Sequence, residues 1–255
     1  MNRRGWFGCA IGSVGLAALS WRVYSHGGTK VEVLLFDLFG TLVEWRSSLT
    51  RYCEHFGRER KLTADWEKFV VQWQASYLPA LDEVRSSRRP FISLDVLRRE
   101  ILDRLLPSFG LGTLTEIERS TLVQGWSHLE TWPDTVSALT RLKGRYYLTT
   151  LSNGGLGFQQ KLVAHTGMPV DRVLSADHFQ HFKPDSAVYV GAAEMVARPP
   201  AALMLVAAHN NDLTAARACG WKTAYVQRAT EDAGPDSDWD IIAQDMHDLS
   251  RQLGT

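Results

Sequence analysis

Cysteine is scarce: three in 255 residues, at positions 9, 53 and 219. None stands in a CxxC pair or at a Cys/His ligand spacing, which argues against a disulfide scaffold and a structural zinc site. Net charge is absent too, because 28 Lys+Arg balance 28 Asp+Glu. Such a chain offers no overall attraction to nucleic acid or anionic lipid, and no nucleic-acid partner is expected. Apolar residues, at 45%, are plentiful enough to exclude intrinsic disorder. The length suits one domain, or a domain carrying a large insertion.

The first 30 residues stand apart. Arg3 and Arg4 precede Trp6–Trp21, an apolar run without charge. A basic flank before a short apolar run is the pattern of a secretory signal, and adjacent arginines resemble a twin-arginine export signal. Ala18 and Ser20 offer a small-x-small cleavage site. The run falls short of the roughly 20 residues that span a bilayer, though it can anchor. The expectation is an exported or anchored chain, with membrane contact through residues 1–30. The alternatives are a plain N-terminal extension or a start assigned too far upstream. Cys9 sits too early for a lipoprotein site.

From residue 31 onward, strand-like runs end in polar turns. Val31–Phe36 ends in Asp37, Tyr146–Leu151 in Ser152-Asn153-Gly154-Gly155, and Ala202–Ala207 in Ala208 through Asp212. Arg172–Leu174 and Thr223–Val226 are shorter runs, and Phe158–His165, Ser186–Val196 and Leu213–Cys219 read as helices. Strand, polar turn and helix in repetition predict an α/β fold, a parallel Rossmann-like sheet with helices on both faces. Sites in such sheets gather at the carboxyl ends of strands, where Asp37, Ser152 and Asp212 are expected.

Residues 47–131 carry helical periodicity instead. Trp66, Phe69, Val70, Trp73, Tyr77 and Leu81 form one stripe, and Leu94, Leu97, Ile101, Leu102, Leu105 and Leu106 another. Buried packing faces explain such stripes better than cofactor stacking. The reading is an all-helical insertion at 47–131, with a core at 31–46 and 132–255.

Four polar stations could carry chemistry. Asp37 before the Gly40-Thr41 turn can be a nucleophile, or can cap the turn. Ser152 and Asn153 can bind a carboxylate or phosphate, or cap a helix. Lys183, held out of a helix by Pro184, can hold a carboxylate, or can be an ordinary exposed lysine. Asp212 can act chemically, or can be a helix N-cap. Alone each is weak; in order, at the ends of successive units, they are strong together.

FDLFGT, LSNG, FKPD and VAAHNND followed by LTAARACG resemble the four ordered motifs of the haloacid dehalogenase superfamily. The (S)-2-haloacid dehalogenase (type II) branch is the nearest match, over residues 31–255, with the insertion as a helical cap. Phosphatases of this superfamily carry an aspartate two residues after the nucleophile; here that position is Phe39. They also supply acidic Mg²⁺ ligands in the fourth motif, where this chain has Ala207, Ala208, His209, Asn210 and Asn211. Asp37 and Asp212 alone suit Mg²⁺ poorly, so no metal or cofactor is expected.

The resemblance implies these roles. Asp37 attacks C2 of a short 2-halocarboxylate and displaces halide with inversion, forming an ester. Thr41 and Lys183 hold its carboxylate, Ser152 receives the substrate carboxylate, and Asn153 supports that loop. Asp212 positions or activates the hydrolytic water, Tyr189 lines the pocket, and Leu38 and Phe39 form its apolar wall. Relatives suggest a homodimer. Two positions depart from the pattern. Gln74 follows Trp73 where the branch has a halide-receiving arginine, and a lost charge there can cost about 3 kcal/mol, roughly a hundredfold in rate. Arg85, Arg88 or Lys68 are candidates to compensate. Ala207 and His209 replace a serine and an asparagine; His209 can be a base, or a hydrogen-bonded structural histidine. The alternatives to a dehalogenase are a magnesium-dependent phosphatase, disfavoured by Phe39, and a catalytically reduced member that binds a small carboxylate.

Overall fold

Strand β1, Val33–Phe36, is four apolar residues buried on both faces. Leu34 and Phe36 point into one core cluster, Val33 and Leu35 into the other, as the two-residue period of a strand requires. The computed structural model describes residues 30–255. The signal-like segment and Cys9 therefore lie outside the described residues, among which no helix is long and apolar enough to cross a membrane.

After β1 the chain makes a short strand, β2 (Val43–Glu44). Five helices follow: α1 (Trp45–Arg60), α2 (Trp66–Ala75), α3 (Tyr77–Arg85), α4 (Leu94–Leu105) and α5 (Glu116–Gln124). Strand β3 (Glu130–Thr131) then pairs antiparallel with β2 and closes the neck of this excursion. The stripe from Trp66 to Leu81 is not one helix. Pro79 lacks the N–H that would bond the carbonyl of Ala75, so the helix stops at Ala75 and restarts at Tyr77, with proline in its first turn. Glu118 and Thr115 cap α5 reciprocally.

The remaining elements alternate: α6 (Thr135–Lys143), β4 (Tyr147–Ser152), α7 (Leu156–Thr166), β5 (Arg172–Ser175), α8 (Ser186–Val196), β6 (Leu203–Ala207), α9 (Asn210–Ala218), β7 (Lys222–Val226), β8 (Ile241–Ala243) and α10 (Met246–Gln252). The six long-sheet strands are all parallel, in the order β5-β4-β1-β6-β7-β8. This is the α/β Rossmann-like arrangement expected. Residues of α6, α7 and α10 pack on the Leu34–Phe36 face together with the inserted helices, while α8 and α9 cover the Val33–Leu35 face.

The chain leaves β1 on one side through β4 and β5, then crosses to the other side through β6. Winding therefore reverses at β1, where open sheets form a crevice at their carboxyl ends. Phe36 lies in register with Thr150 of β4 and Val206 of β6, so the three central strands end at nearly one level.

Candidate active site

Asp37 continues the β1 ladder by donating its N–H to the Val206 carbonyl at 3.0 Å. The residue is 6% exposed, and its carboxylate is engaged on both oxygens. Lys183 Nζ donates to Oδ1 at 2.9 Å, and Thr41 Oγ1 to Oδ2 at 2.8 Å. Thr41 is itself fixed by accepting the Ala208 N–H at 3.0 Å. Burial alone would raise the Asp37 pKa. The charges of Lys183 and His209 and their hydrogen bonds outweigh it, holding the carboxyl well below its ordinary range.

Lys183 also donates to Asp212 Oδ2, and Tyr189 donates to Asp212 Oδ1 at 2.5 Å. Burial works against the lysine charge, but Asp212 and Asp37 together raise its pKa above the ordinary value. Burial and then the Asp212 charge likewise raise that of Tyr189, so its hydroxyl stays a donor. Asn153 fixes the Lys183 backbone: its Oδ1 accepts the Lys183 N–H at 2.7 Å and its Nδ2 donates to the Lys183 carbonyl at 3.2 Å. The same amide donates to the Tyr77 hydroxyl at 2.9 Å, linking the loop after β4 to α3.

Several expectations need correction. Asp212 does not end a strand and is not the N-cap; β6 stops at Ala207, His209 is the cap residue, and Asp212 sits in the first turn of α9. Ser152 does not cap α7, whose cap residue is Gly155. Leu38 is not a cleft wall. It keeps the parity of Leu34 and Phe36 and is wholly buried in their cluster. Tyr189 packs in the opposite cluster and reaches the site only through its hydroxyl, behind Asp212.

Above Asp37 opens a cleft of about 810 Å³ between the sheet and the inserted helices, with Phe39, Gln74, Ser152, Lys183 and His209 on its walls. Of the cations considered to offset Gln74, Lys68 is exposed, Arg88 pairs with Asp82, and Arg85 lines the cleft but pairs with Asp185 at 2.8 Å. Among the described residues that line the cleft, the cation without an acceptor is Arg98 of α4. It lines the cleft, is 3% exposed, and has no acceptor among the described residues for its buried Nε and Nη1. Its guanidinium lies 3.9 Å from the Trp126 ring centre and 4.5 Å from that of Phe39. Burial pushes its pKa down to about 10, so it remains a cation at neutral pH. Trp73 Nε1 donates to the Arg98 carbonyl at 3.0 Å, which sets Arg98 beside the turn that carries Gln74. The available signal was position: Arg98 falls on the apolar stripe of Leu94, Ile101, Leu102 and Leu105.

Glu231 was also missed. It lies five residues beyond β7, again at a carboxyl end, and accepts from Trp45 Nε1 at 2.9 Å. His209 bridges Asp37 Oδ2 (3.1 Å, through Nδ1) and Glu231 Oε2 (3.0 Å, through Nε2). Gly40, at φ +84°, admits this carboxylate: a Cβ there would stand 2.5 Å from Glu231 Cδ.

The donor set does not suit Mg²⁺, the metal of the superfamily's phosphatases. The ammonium of Lys183 already bridges the two carboxylates that would bind it. No cluster of three or more metal-ligating side chains occurs among the described residues.

Residues 31–220 match the model of the haloacid dehalogenase-like hydrolases. The (S)-2-haloacid dehalogenase of Pseudomonas sp. (strain YL) is 30% identical over 220 residues, covering 84% of this chain and 91% of the relative. The (S)-2-haloacid dehalogenase H-109 of Pseudomonas putida is 29% identical over 78% of this chain and 86% of its own. Among solved structures, the L-2-haloacid dehalogenase PA0810 superposes with a TM-score of 0.84 at 41% identity, covering 88% of this chain and 98% of its own. The defluorinating L-2-haloacid dehalogenase Rha0230 gives 0.85 at 35% identity, covering 88% and 96%. With the sheet order, the cleft and these likenesses in hand, the chain belongs to the haloacid dehalogenase-like hydrolases, in their L-2-haloacid dehalogenase branch.

Proposed function

We propose that this protein hydrolyses short (S)-2-haloacids to (R)-2-hydroxyacids through an ester on Asp37, without a metal. The carrying observation is the Asp37 carboxylate, kept ionised at the floor of the cleft by Lys183 and Thr41, with Phe39 where a second acid would stand. An ionised carboxylate can attack C2 directly, and a halide leaves without being protonated, so no acid is needed beside it.

The substrate carboxylate sits at the Ser152 hydroxyl and the N–H groups of the loop after β4. Asp37 attacks C2 from the side opposite the halogen; the C–O bond forms as the C–halogen bond breaks, and C2 inverts. The departing halide gathers negative charge, and Arg98 with Gln74 receives it. Two unpartnered guanidinium nitrogens in a water-poor wall are a stronger stabiliser of that charge than an amide alone. Lys183 and Thr41 orient the nucleophile, Asp212 and Tyr189 hold Lys183, and the inserted helices act as a cap over the reacting centre.

The test is chloride release from (S)-2-chloropropionate by the full chain in EDTA, against an Asp37→Asn variant. Release is expected from the wild type and only background from the variant. Chloride release that survives Asp37→Asn refutes the covalent route.

A further inference from the structure

The loop after β4, read above as the seat of the substrate carboxylate, is held from two directions. From the sheet side, Ser175 Oγ donates to the Gly154 carbonyl at 2.6 Å, and Asp177, two residues beyond β5, accepts the Leu156 N–H at 2.8 Å. From the inserted helices, Asp95 Oδ1 accepts the Gly155 N–H at 3.1 Å. That approach leaves no room for a side chain: a Cβ on Gly155 would overlap Cγ and Oδ2 of Asp95 and stand 2.7 Å from Ser93 Oγ. Gly155 has φ −61° and ψ 145°, which any residue adopts, so space and not backbone conformation demands glycine.

Asp95 lies in the first turn of α4 and Arg98 three residues on, so both project from one face, about 4.5 Å apart along the axis. Burial lowers the Arg98 pKa, and the charge of Asp95 is the leading one that offsets it. Yet Asp95 spends Oδ1 on Gly155, and Arg98 keeps Nε and Nη1 without an acceptor. One carboxylate thus supports the cation without occupying the nitrogens that would meet a ligand. We infer that Asp95 is a positioning residue: by clamping Gly155 it fixes the span between the carboxylate seat and Arg98, and so aligns the departing halide with its cation. The inference rests on the reading above in which Arg98 receives the halide.

The need for such a clamp follows from the substrate. Its carboxylate carbon and its halogen are both bonded to C2, so covalent geometry fixes their separation. The seats that receive them belong to different parts of the chain, one at the end of β4 and one on an inserted helix. In-line displacement tolerates little error, and a misplacement of about 1 Å can cost ~100-fold in rate. Asp177 steadies the loop against the sheet but cannot place it relative to α4. The contact of Tyr77 with Asn153 crosses to the insertion through α3, which does not carry Arg98. Asp95 makes the crossing on the helix of Arg98 itself.

The experiment is stopped-flow release of the first equivalent of halide from (S)-2-chloropropionate and (S)-2-iodopropionate, at saturating substrate and normalised to folded enzyme. The full chain is compared with Asp95→Ala, Asp95→Asn, Gly155→Ala and the pair Asp95→Ala with Gly155→Ala. Asp95→Ala should slow chloride release ~10- to 100-fold. Iodide leaves with less help, because its bond to carbon is weaker and its charge more diffuse, so its release should slow clearly less. A merely structural loss would slow both alike. Asp95→Asn keeps an acceptor for the Gly155 N–H and should recover most of the loss. The methyl of Gly155→Ala pushes Asp95 off the same contact, so the pair should be no slower than the slower single variant. Asp95→Ala trims a half-buried side chain, and keeps the test decisive should Gly155→Ala fail to fold. The inference is overturned if folded Asp95→Ala stays within about threefold of wild type, if both halides slow by one factor, if Asp95→Asn recovers nothing, or if the two single losses multiply. A wild type that releases no chloride overturns the dehalogenation reading itself, a result that no Asp95 variant can mimic.

Discussion

Replacing Arg98 by Met, of similar volume, separates a catalytic cation from a structural one. The guanidinium contacts two rings, at 3.9 and 4.5 Å, and desolvated contacts of that kind are worth about 2 kcal/mol each, so about 4 kcal/mol is lost. Against this, two buried nitrogens without an acceptor cost about 1–3 kcal/mol each, so about 2–6 kcal/mol is recovered. The two sums nearly cancel, and urea denaturation should place the variant within about 2 kcal/mol of wild type. Chloride release should fall far more, because the charge that forms on the departing halide loses its cation: about 3 kcal/mol, roughly a hundredfold. Stopped-flow measurement of the first equivalent of chloride, normalised to folded enzyme, reads that step alone. A first-equivalent rate within about threefold of wild type, a barrier change under about 1 kcal/mol, would show that the cation does not act on the leaving group. A loss of stability well above 3 kcal/mol would show that the ring contacts were undervalued.

Lys183→Met leaves Asp37 and Asp212 buried without their shared cation, and should cost about 3–5 kcal/mol by chemical denaturation together with most of the activity. His209, which burial would push down but hydrogen bonds to Asp37 and Glu231 raise to about 10, should titrate far above its ordinary 6.5 in ¹H–¹⁵N spectra of the free enzyme. The raised value stabilises the fold fully below about pH 6.5, and that stabilisation fades as pH rises through about 10. A His209 midpoint near 6.5 would contradict the two-carboxylate geometry. EDTA treatment followed by added Mg²⁺ should leave chloride release unchanged, since Lys183 occupies the place between the carboxylates.

The strands that position the chemistry were legible because β1, β4 and β6 are apolar runs ended by polar residues, and burial on both faces needs nothing subtler. Asp37 follows from that punctuation, and Lys183 from the proline after it, which keeps it out of a helix. Asp212 reads as a strand end because it closes the polar stretch after Ala207, but α9 already begins at Asn210 and takes Asp212 into its first turn. Leu38 and Tyr189 were assigned to the pocket by resemblance, while strand parity and helix facing send their side chains into the two cores. Glu231 was hidden in a loop without periodicity, where only the strand-end rule points to it. Arg98 was hidden by its company of leucines, although an arginine on an apolar stripe is itself the anomaly. The three-residue β8 and the helix after it carry too short a pattern to stand out.

Phe39 belongs to the loop of Asp37, yet its ring meets Trp126 at 6.0 Å, and Trp126 meets Trp73 at 5.6 Å. One aromatic ladder thus runs from the loop after β1 into the inserted helices, and the same cluster includes Leu34 and Phe36 of the sheet. Excising the insertion would open a shared core rather than remove an accessory. Folding cooperativity should then span both parts: amides of α2 and α4 should exchange with the same global opening as those of β1, in a single transition. An enzyme built so cannot open by swinging a lid free, and admits substrate through movements smaller than the unit that holds it together.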